Sequence, residues 1–537
     1  MSRPLGVLGI VTLLVGIALA VPLASVLSSL FAGTGDTLRH LAQTALPRYV
    51  ANTLMLLLLV SAGVISMGVV SAWLVSSYRF PGRGILEWAL MLPLAVPAYV
   101  MAYVYTDWLQ FTGPVQTALR ETMGLKWFPE IRSLPGAAAM LSLALFPYVY
   151  LIARTAFHEL SRSAIEAGRL AGLDAWGAFF RVAVPLARPA IVAGASLALM
   201  ETLADFGTVS YFALEVFTTG IFKAWLSLGD SVAAAQLSAC LLAFVVLVLA
   251  LERASRSRAA YSSATRRPLR PYPLGGFKAF LAMAACALPV VFGFALPAFL
   301  LLGMAWEERG AYLGARMLAL IANSFTLAGL TALVAVVLGL AMAYAARLNR
   351  SRVVTAVNRA AGFGYALPGA VVAVGVLVPL GKLDNALSAL LERMAGQPVG
   401  LLLTGTVAAL VYAYLVRLLA VSLQTMEAGL AKITRSMEDA ARSLGAGAAA
   451  TLARVHIPLL APSLATAALL VFLDVLKELP ATLALRPFNF DTLAIEAYNL
   501  AKDERLAEAA APALVIVAVG LLPVLYVTRR YFQATRS

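Results

Sequence analysis

Twelve apolar runs, each long enough to cross a bilayer as a helix, dominate this chain. They lie near residues 5–30, 50–77, 85–107, 136–157, 188–214 and 231–251, then near 277–303, 321–346, 356–380, 399–421, 461–484 and 510–528. A spanning helix needs about 20 apolar residues. Inside the hydrocarbon every peptide group must be paired within the protein, which leaves helices or a closed barrel, and runs of this length select helices. Charged residues make up 13% of the 537, against roughly 25% in soluble domains. The sequence therefore predicts an all-α integral membrane protein of about twelve transmembrane helices. In the first run, Ala18-Leu19-Ala20 has the form of a signal cleavage site. A run from Leu5 to Leu30 suits an anchor better, and its loss would spoil the even count that keeps Arg79 and Arg154 on one side.

Lys and Arg number 41 against 27 Asp and Glu, a net charge of +14. The excess sits in alternate connections: Arg79 and Arg83, then Arg154, Arg162, Arg169 and Arg181, then Arg347, Arg350, Arg352 and Arg359, then Arg417, Lys432, Arg435, Arg442 and Arg454, with Arg529 and Arg530 at the end. By the positive-inside rule these connections are cytoplasmic, which places both termini on the cytoplasmic side of the membrane. The charge is thus an orientation signal, and no nucleic-acid partner is needed to explain it. Residues 252–276, with Arg253, Arg256, Arg258, Arg266, Arg267 and Arg270, read as a basic cytoplasmic linker between a first half, 1–251, and a second, 277–537. A basic run beside a bilayer also attracts anionic lipid.

Several chemistries are excluded. Cys240 and Cys286 both lie in apolar runs and read as small core residues. The three histidines, His40, His158 and His456, form no His-x-x-x-His pair, so no metal site is assigned. A phosphate loop is missing, since Gly381-Lys382 is followed by Leu383. No cofactor is expected on the chain itself, and no nucleophile elbow or His/Cys cluster suggests an enzyme.

The halves are copies of one unit. Asn52-Thr53-Leu54 matches Asn323-Ser324-Phe325 at an offset of 271, as Gly68, Ala72 and Pro97 match Gly339, Ala343 and Pro368. Arg169, Gly172, Arg181, Pro185 and Pro189 match Arg442, Gly445, Arg454, Pro458 and Pro462 at 273, and the register continues through Glu201/Asp474, Asp205/Glu478 and Thr219/Thr492. Six spans per half with the same orientation make a parallel repeat, with a solute path expected between the halves. Pro93, Pro97 and Pro368 are expected to kink the third span of each half. Tyr99, Tyr103 and Tyr105 read as an interfacial belt.

The strongest match is in the loop after the fourth span of each half, 163–185 and 436–458. The first copy reads Glu166-Ala167-Gly168, three residues, Gly172, nine residues, Val182-Ala183-Val184-Pro185. The second reads Asp439-Ala440-Ala441, three residues, Gly445, nine residues, Val455-His456-Ile457-Pro458. Each predicts a short helix, a Gly stop in the left-handed conformation and a second helix limited by Pro. Ser163 and Ser436, three residues before Glu166 and Asp439, have the spacing of a capping box. Small and apolar residues (Ala171, Leu173, Leu444, Ala446) stand beside charge, a surface suited to docking.

This spacing resembles the EAA loop of permeases of the binding-protein-dependent class of ABC importers, whose pattern is E-A-A, three residues, G, nine residues, I-x-L-P. The chain departs from it mildly, at Gly168, Asp439, Val182 and Val455. The resemblance implies a type I ABC importer permease-like fold, with one chain supplying both halves. It also implies that Glu166, Ala167, Gly168, Gly172, Asp439, Ala440, Ala441 and Gly445 couple to two ATPase subunits that carry the ATP. An extracytoplasmic solute-binding protein is the implied outer partner and alternating access the implied mechanism. An ion-driven secondary transporter, also built from parallel halves, would need no ATPase and gives no reason for these loops.

After each motif come two acidic residues spaced i, i+4: Glu201 and Asp205, then Asp474 and Glu478. At that spacing each pair shares one helical face. Intramembrane carboxylates are costly and mark ion paths or bundle interiors. The four either line a route for a cation, hard ions preferring oxygen, or brace helix ends, with Lys477 neutralising Asp474. These stretches, with Phe217-Thr218-Thr219-Gly220-Ile221 and its counterpart Phe490-Asp491-Thr492-Leu493-Ala494-Ile495, resemble the fused ferric-iron permeases. Thiamine and polyamine permeases share much of the pattern.

Overall fold

The computed structural model describes residues 6–33, 35–124, 128–159, 165, 168, 170–256, 271–308, 314–348, 351–395 and 400–536. Among the described residues, eleven helices are long and apolar enough to span a bilayer, or twelve if one bent pair is a single span. In chain order these are α1 Val7–Phe31, α2 Leu46–Ser77, α3 Arg83–Ala95 with Ala98–Met123, α4 Leu134–His158, α5 Trp176–Ala204 and α6 Ser231–Ser255. They continue with α7 Gly276–Glu307, α8 Ala315–Leu348, α9 Gly369–Met394, α10 Val407–Ala431, α11 Ala448–Leu476 and α12 Leu506–Leu525.

Prolines set the departures from the expected spans. The third run is two helices meeting at 91°, because Pro97 offers no N–H and Val96 before it is forced extended (φ −100°, ψ 111°). In the second half α9 starts at Gly369, directly after Pro368. Part of the run 356–380 is instead a separate helix, Arg352–Ala361, capped by Ser351, whose hydroxyl accepts from the Val353 N–H. The fifth spans also move: α5 and α11 begin earlier than 188 and 461 and stop at Ala204 and Leu476.

The chain divides into two compact units that cut across the halves of the sequence. One contains Met1–Leu38, Ile221–Ala239 and Gly314–Glu496; the other contains Arg39–Gly220, Cys240–Leu313 and Ala497–Ser537. In the first unit α1, from the N-terminal half, packs on helices of the C-terminal half. A Cβ on Gly16 would lie 2.3 Å from Val357 Cγ1, one on Gly375 would lie 2.7 Å from the Pro22 carbonyl oxygen, and Tyr412 donates to the Ala18 carbonyl at 2.5 Å. In the second unit α7 does the reciprocal thing. Gly293 lies against Pro93, and Tyr105 donates to the Phe292 carbonyl at 2.5 Å. Tyr99, Tyr103 and Tyr105 are all buried. The expected interfacial belt is thus replaced by an internal aromatic cluster, because the bend at Pro97 carries these rings into the protein.

Apolar solvent gives helices little reason to associate, so close contact through small residues holds each unit together. Gly68 on α2 lets that helix lie against α4: an added Cβ would meet Val149 Cβ at 2.7 Å. Its repeat partner Gly339 on α8 does the same against α10, where a Cβ would meet Ser422 Oγ at 2.5 Å. Around the second contact lies a core that includes Leu327, Met342, Leu410, Leu419 and Val471. Gly68→Val and Gly339→Val are expected to destabilise by on the order of 1–3 kcal/mol each through overpacking. A thermal midpoint unchanged from wild type in detergent would contradict this packing.

Candidate functional site

The second motif loop opens with the helix Arg435–Ser443, none of whose residues is buried. Its N-cap is Thr434, and Ser436, expected as the cap, lies inside the first turn, where its hydroxyl pairs with that of Thr434 at 2.9 Å. The helix begins two residues earlier than the capping-box spacing requires. Asp439 pairs with Arg442 on the exposed side, Ala440 is exposed and Ala441 is half-buried. Gly445 ends the helix at φ +82°. There the Gly445 N–H reaches the Arg442 carbonyl at 2.9 Å and the Ala446 N–H reaches that of Ala441 at 3.0 Å, pairing carbonyls that a helix end leaves free. Leu444 beside it is 88% exposed.

The first motif loop repeats this end. Gly172 has φ +85°, and the Leu173 N–H reaches the Gly168 carbonyl at 3.1 Å, the counterpart of the Ala446 bond. Glu166 and Ala167, with Ser163, lie outside the described residues. Gly168 is half-buried, and a Cβ there would stand 3.1 Å from Val182 Cγ2, tighter than ordinary contact. Asp174 restarts the helix by accepting from the Gly177 N–H at 2.7 Å. Leu170 (89% exposed), Trp176 (70%) and Phe180 (60%) form an uncovered apolar edge, the two rings stacked at 6.0 Å.

Pro185 and Pro458 do not limit the second helix, as the sequence suggested. Each lies in the first turn of a helix that continues through the span, just after a π-helical turn, Phe179–Ala183 or Leu452–His456. A proline inside an α-helix clashes with the carbonyl four residues back. The wider π turn makes room for it, so the loop runs without interruption into α5 or α11.

The acidic pairs do not share helical faces, because α5 and α11 end between their members. Glu201 is half-buried near the end of α5. Asp205, in extended backbone, accepts from Thr208 Oγ1 at 3.0 Å and from the Val209 N–H at 3.2 Å, and so starts the short helix Gly207–Tyr211. Glu478 is buried and does the same for Pro480–Leu485, accepting from the N–H groups of Ala481 and Thr482 at 3.0 Å each and from Thr482 Oγ1 at 2.9 Å. Asp474 pairs with Lys477 Nζ at 2.9 Å. Beyond each break an asparagine ties the next loop back. Asn52 donates to the Glu215 carbonyl at 2.9 Å, and Asn323 donates to that of Asp491 at 3.0 Å.

The family described as "binding-protein-dependent transport system inner membrane component" matches residues 64–259 and 335–536, each stretch holding one motif loop and one helix break. The chain belongs to this family. It is a multi-pass inner-membrane permease of the ABC importer class. The Fe(3+)-transport system permease protein FbpB 2 of Haemophilus influenzae is 27% identical over 99% of both chains. The molybdenum transport system permease protein ModB of Escherichia coli is 30% identical across 28% of this chain and 64% of its own length. The probable sulfate transport system permease protein cysT of Chlorokybus atmophyticus is 31% identical across 28% of this chain and 51% of its own.

In the sequence the matched asparagines Asn52 and Asn323 carry no sign of their role in tying loops back. Glu438 is inconspicuous there too, its neighbour Asp439 occupying the motif position. The only available signal was that the residue at the matching place in the first copy is Ile165, buried in the structure. A Cβ added at Gly172 or Gly445 meets no neighbouring atom within 4 Å, but a left-handed backbone costs an L-residue about 1–2 kcal/mol. Gly172→Val and Gly445→Val are therefore expected to reorient the motif helices and lower uptake while the chain still accumulates in the membrane. Wild-type uptake in both variants would contradict a coupling role for these loops.

Proposed function

We propose that this permease carries ferric iron, as the membrane subunit of an ATP-driven importer whose ATPase and solute-binding protein are separate chains. The observation that carries the reading is the match, over 99% of both chains, to a relative named as an Fe(3+)-transport permease. Relatives named for sulfate and molybdenum align with only 28% of this chain. The chemistry of the helix breaks supports the same substrate. Carboxylates at Glu201, Asp205, Asp474 and Glu478 repel an anion such as sulfate, and oxygen donors suit a hard cation. Irregular backbone at membrane depth is tolerated where it is buried or lines a cavity. We therefore infer that both breaks border the solute's route, the capping carboxylates fixing its shape and field.

In this reading ATP binds only to two ATPase subunits, one docking at Glu166, Ala167, Gly168 and Gly172, the other at Asp439, Ala440, Ala441 and Gly445. The exposed apolar residues beside each glycine supply the contact surface. Positive charge in alternate connections keeps those loops and both termini in the cytoplasm, while the binding protein delivers solute to the opposite face. Closure of the ATPase dimer on ATP moves the docked helices, and through them α5 and α11, so that the route opens first outward and then inward.

The reading is tested by uptake of radiolabelled ferric iron in iron-starved cells with and without this chain, with labelled thiamine and putrescine in parallel. Loss of iron uptake alone is expected. Intact iron uptake with loss of thiamine or putrescine uptake would overturn the substrate and leave the importer standing.

A further inference from the structure

The described residues around the two motif loops differ in chemistry. In the second, Arg347 at the end of α8 points its guanidinium into the junction. It donates to the Ile433 carbonyl at 2.6 Å, to the Leu430 carbonyl in the last turn of α10, and to Oε1 of Glu438 on the helix Arg435–Ser443. Fully buried His456, at the end of the π turn that leads into α11, places Nε2 3.1 Å from the same Oε1. Its ring meets the edge of Tyr344 at 5.2 Å, and the Tyr344 hydroxyl donates to the Ala448 carbonyl at 3.0 Å, pinning the start of α11. One guanidinium thus joins α8, the end of α10 and the motif helix, while His456 Nε2 lies near the same carboxylate without an aligned hydrogen bond. Asp439, the next residue, faces outward with Arg442.

At the matching places the first loop has no such groups. Glu438 and His456 correspond to Ile165 and Ala183 at the 273 offset, and Tyr344 and Arg347 correspond to Trp73 and Ser76 at the 271 offset. Ile165 and Ala183 are buried, and Trp73 lies 5.3 Å from both Phe157 and Phe179. An apolar contact of this kind is non-directional and tolerates sliding. A planar guanidinium with three fixed acceptors fixes one orientation.

We propose that Arg347 and Glu438 are positioning residues that latch the second motif helix rigidly to α8 and the end of α10. The second loop is then a stiff arm of transmission. The inference rests on the proposed coupling of these loops to ATPase subunits.

The test is the amount of solute imported per ATP hydrolysed by the complete importer in proteoliposomes. Arg347→Ala lowers this ratio by roughly tenfold, the scale of one lost charge-assisted hydrogen bond, while both ATPase subunits still co-purify. Arg347→Lys keeps the charge without the fork and gives an intermediate ratio. Ser76→Ala, at the matching place in the first half, leaves the ratio as in wild type. Loss of folded protein alone would lower import and hydrolysis together and leave the ratio unmoved. Should Arg347→Ala fail to accumulate, Glu438→Gln, which keeps the shape and one acceptor, gives a smaller drop in the same direction. A wild-type ratio in the accumulating variants would overturn the latch. Failure of the coupling reading itself would appear separately, as Gly172→Val and Gly445→Val complexes that keep the wild-type ratio.

Discussion

Every peptide group in a bilayer must find a partner inside the protein, and the rest of this structure depends on that constraint. It produces the long helices, and it decides what the chain does where a helix has to stop. The helices end at Ala204 and Leu476, and the freed N–H groups that follow are met by the carboxylates of Asp205 and Glu478. The same residues that look like an ion path in the sequence thus have a structural task in each unit. The two roles are compatible, because a break capped by a carboxylate is also a place where charge and irregular backbone sit at membrane depth.

Much of this was legible because repetition exposes what a single copy hides. Gly68 and Gly339 match in sequence, and both prove to be points where two helix backbones come too close for a side chain. Gly172 and Gly445 match, and both take the left-handed conformation that ends the motif helix. Asn52 and Asn323 match, and both anchor the loop beyond a break. A pairwise match marks a shared backbone requirement, and glycine and asparagine state such requirements almost directly.

What the sequence hid were facts of tertiary placement. Spacing i, i+4 reads as one face only if the helix continues, and nothing local to Glu201 or Asp474 announces that it stops. Tyr99, Tyr103 and Tyr105 carry the composition of an interfacial belt, yet the 91° bend at Pro97 buries them. Pro185 and Pro458 read as helix ends, but a π turn before each absorbs the clash. The exchange of α1 and α7 between the units is invisible to hydropathy, since an apolar helix of small residues packs equally well on either half.

Arg347 fixes the helix of the second motif loop to α8 and the end of α10 by a polar junction. The central claim is that each motif loop engages its own ATPase subunit. Native mass measurement of the complex purified through this chain tests that claim most directly. One permease chain with two ATPase subunits is the expected composition. A complex of one to one, or a chain that retains no ATPase, would contradict it.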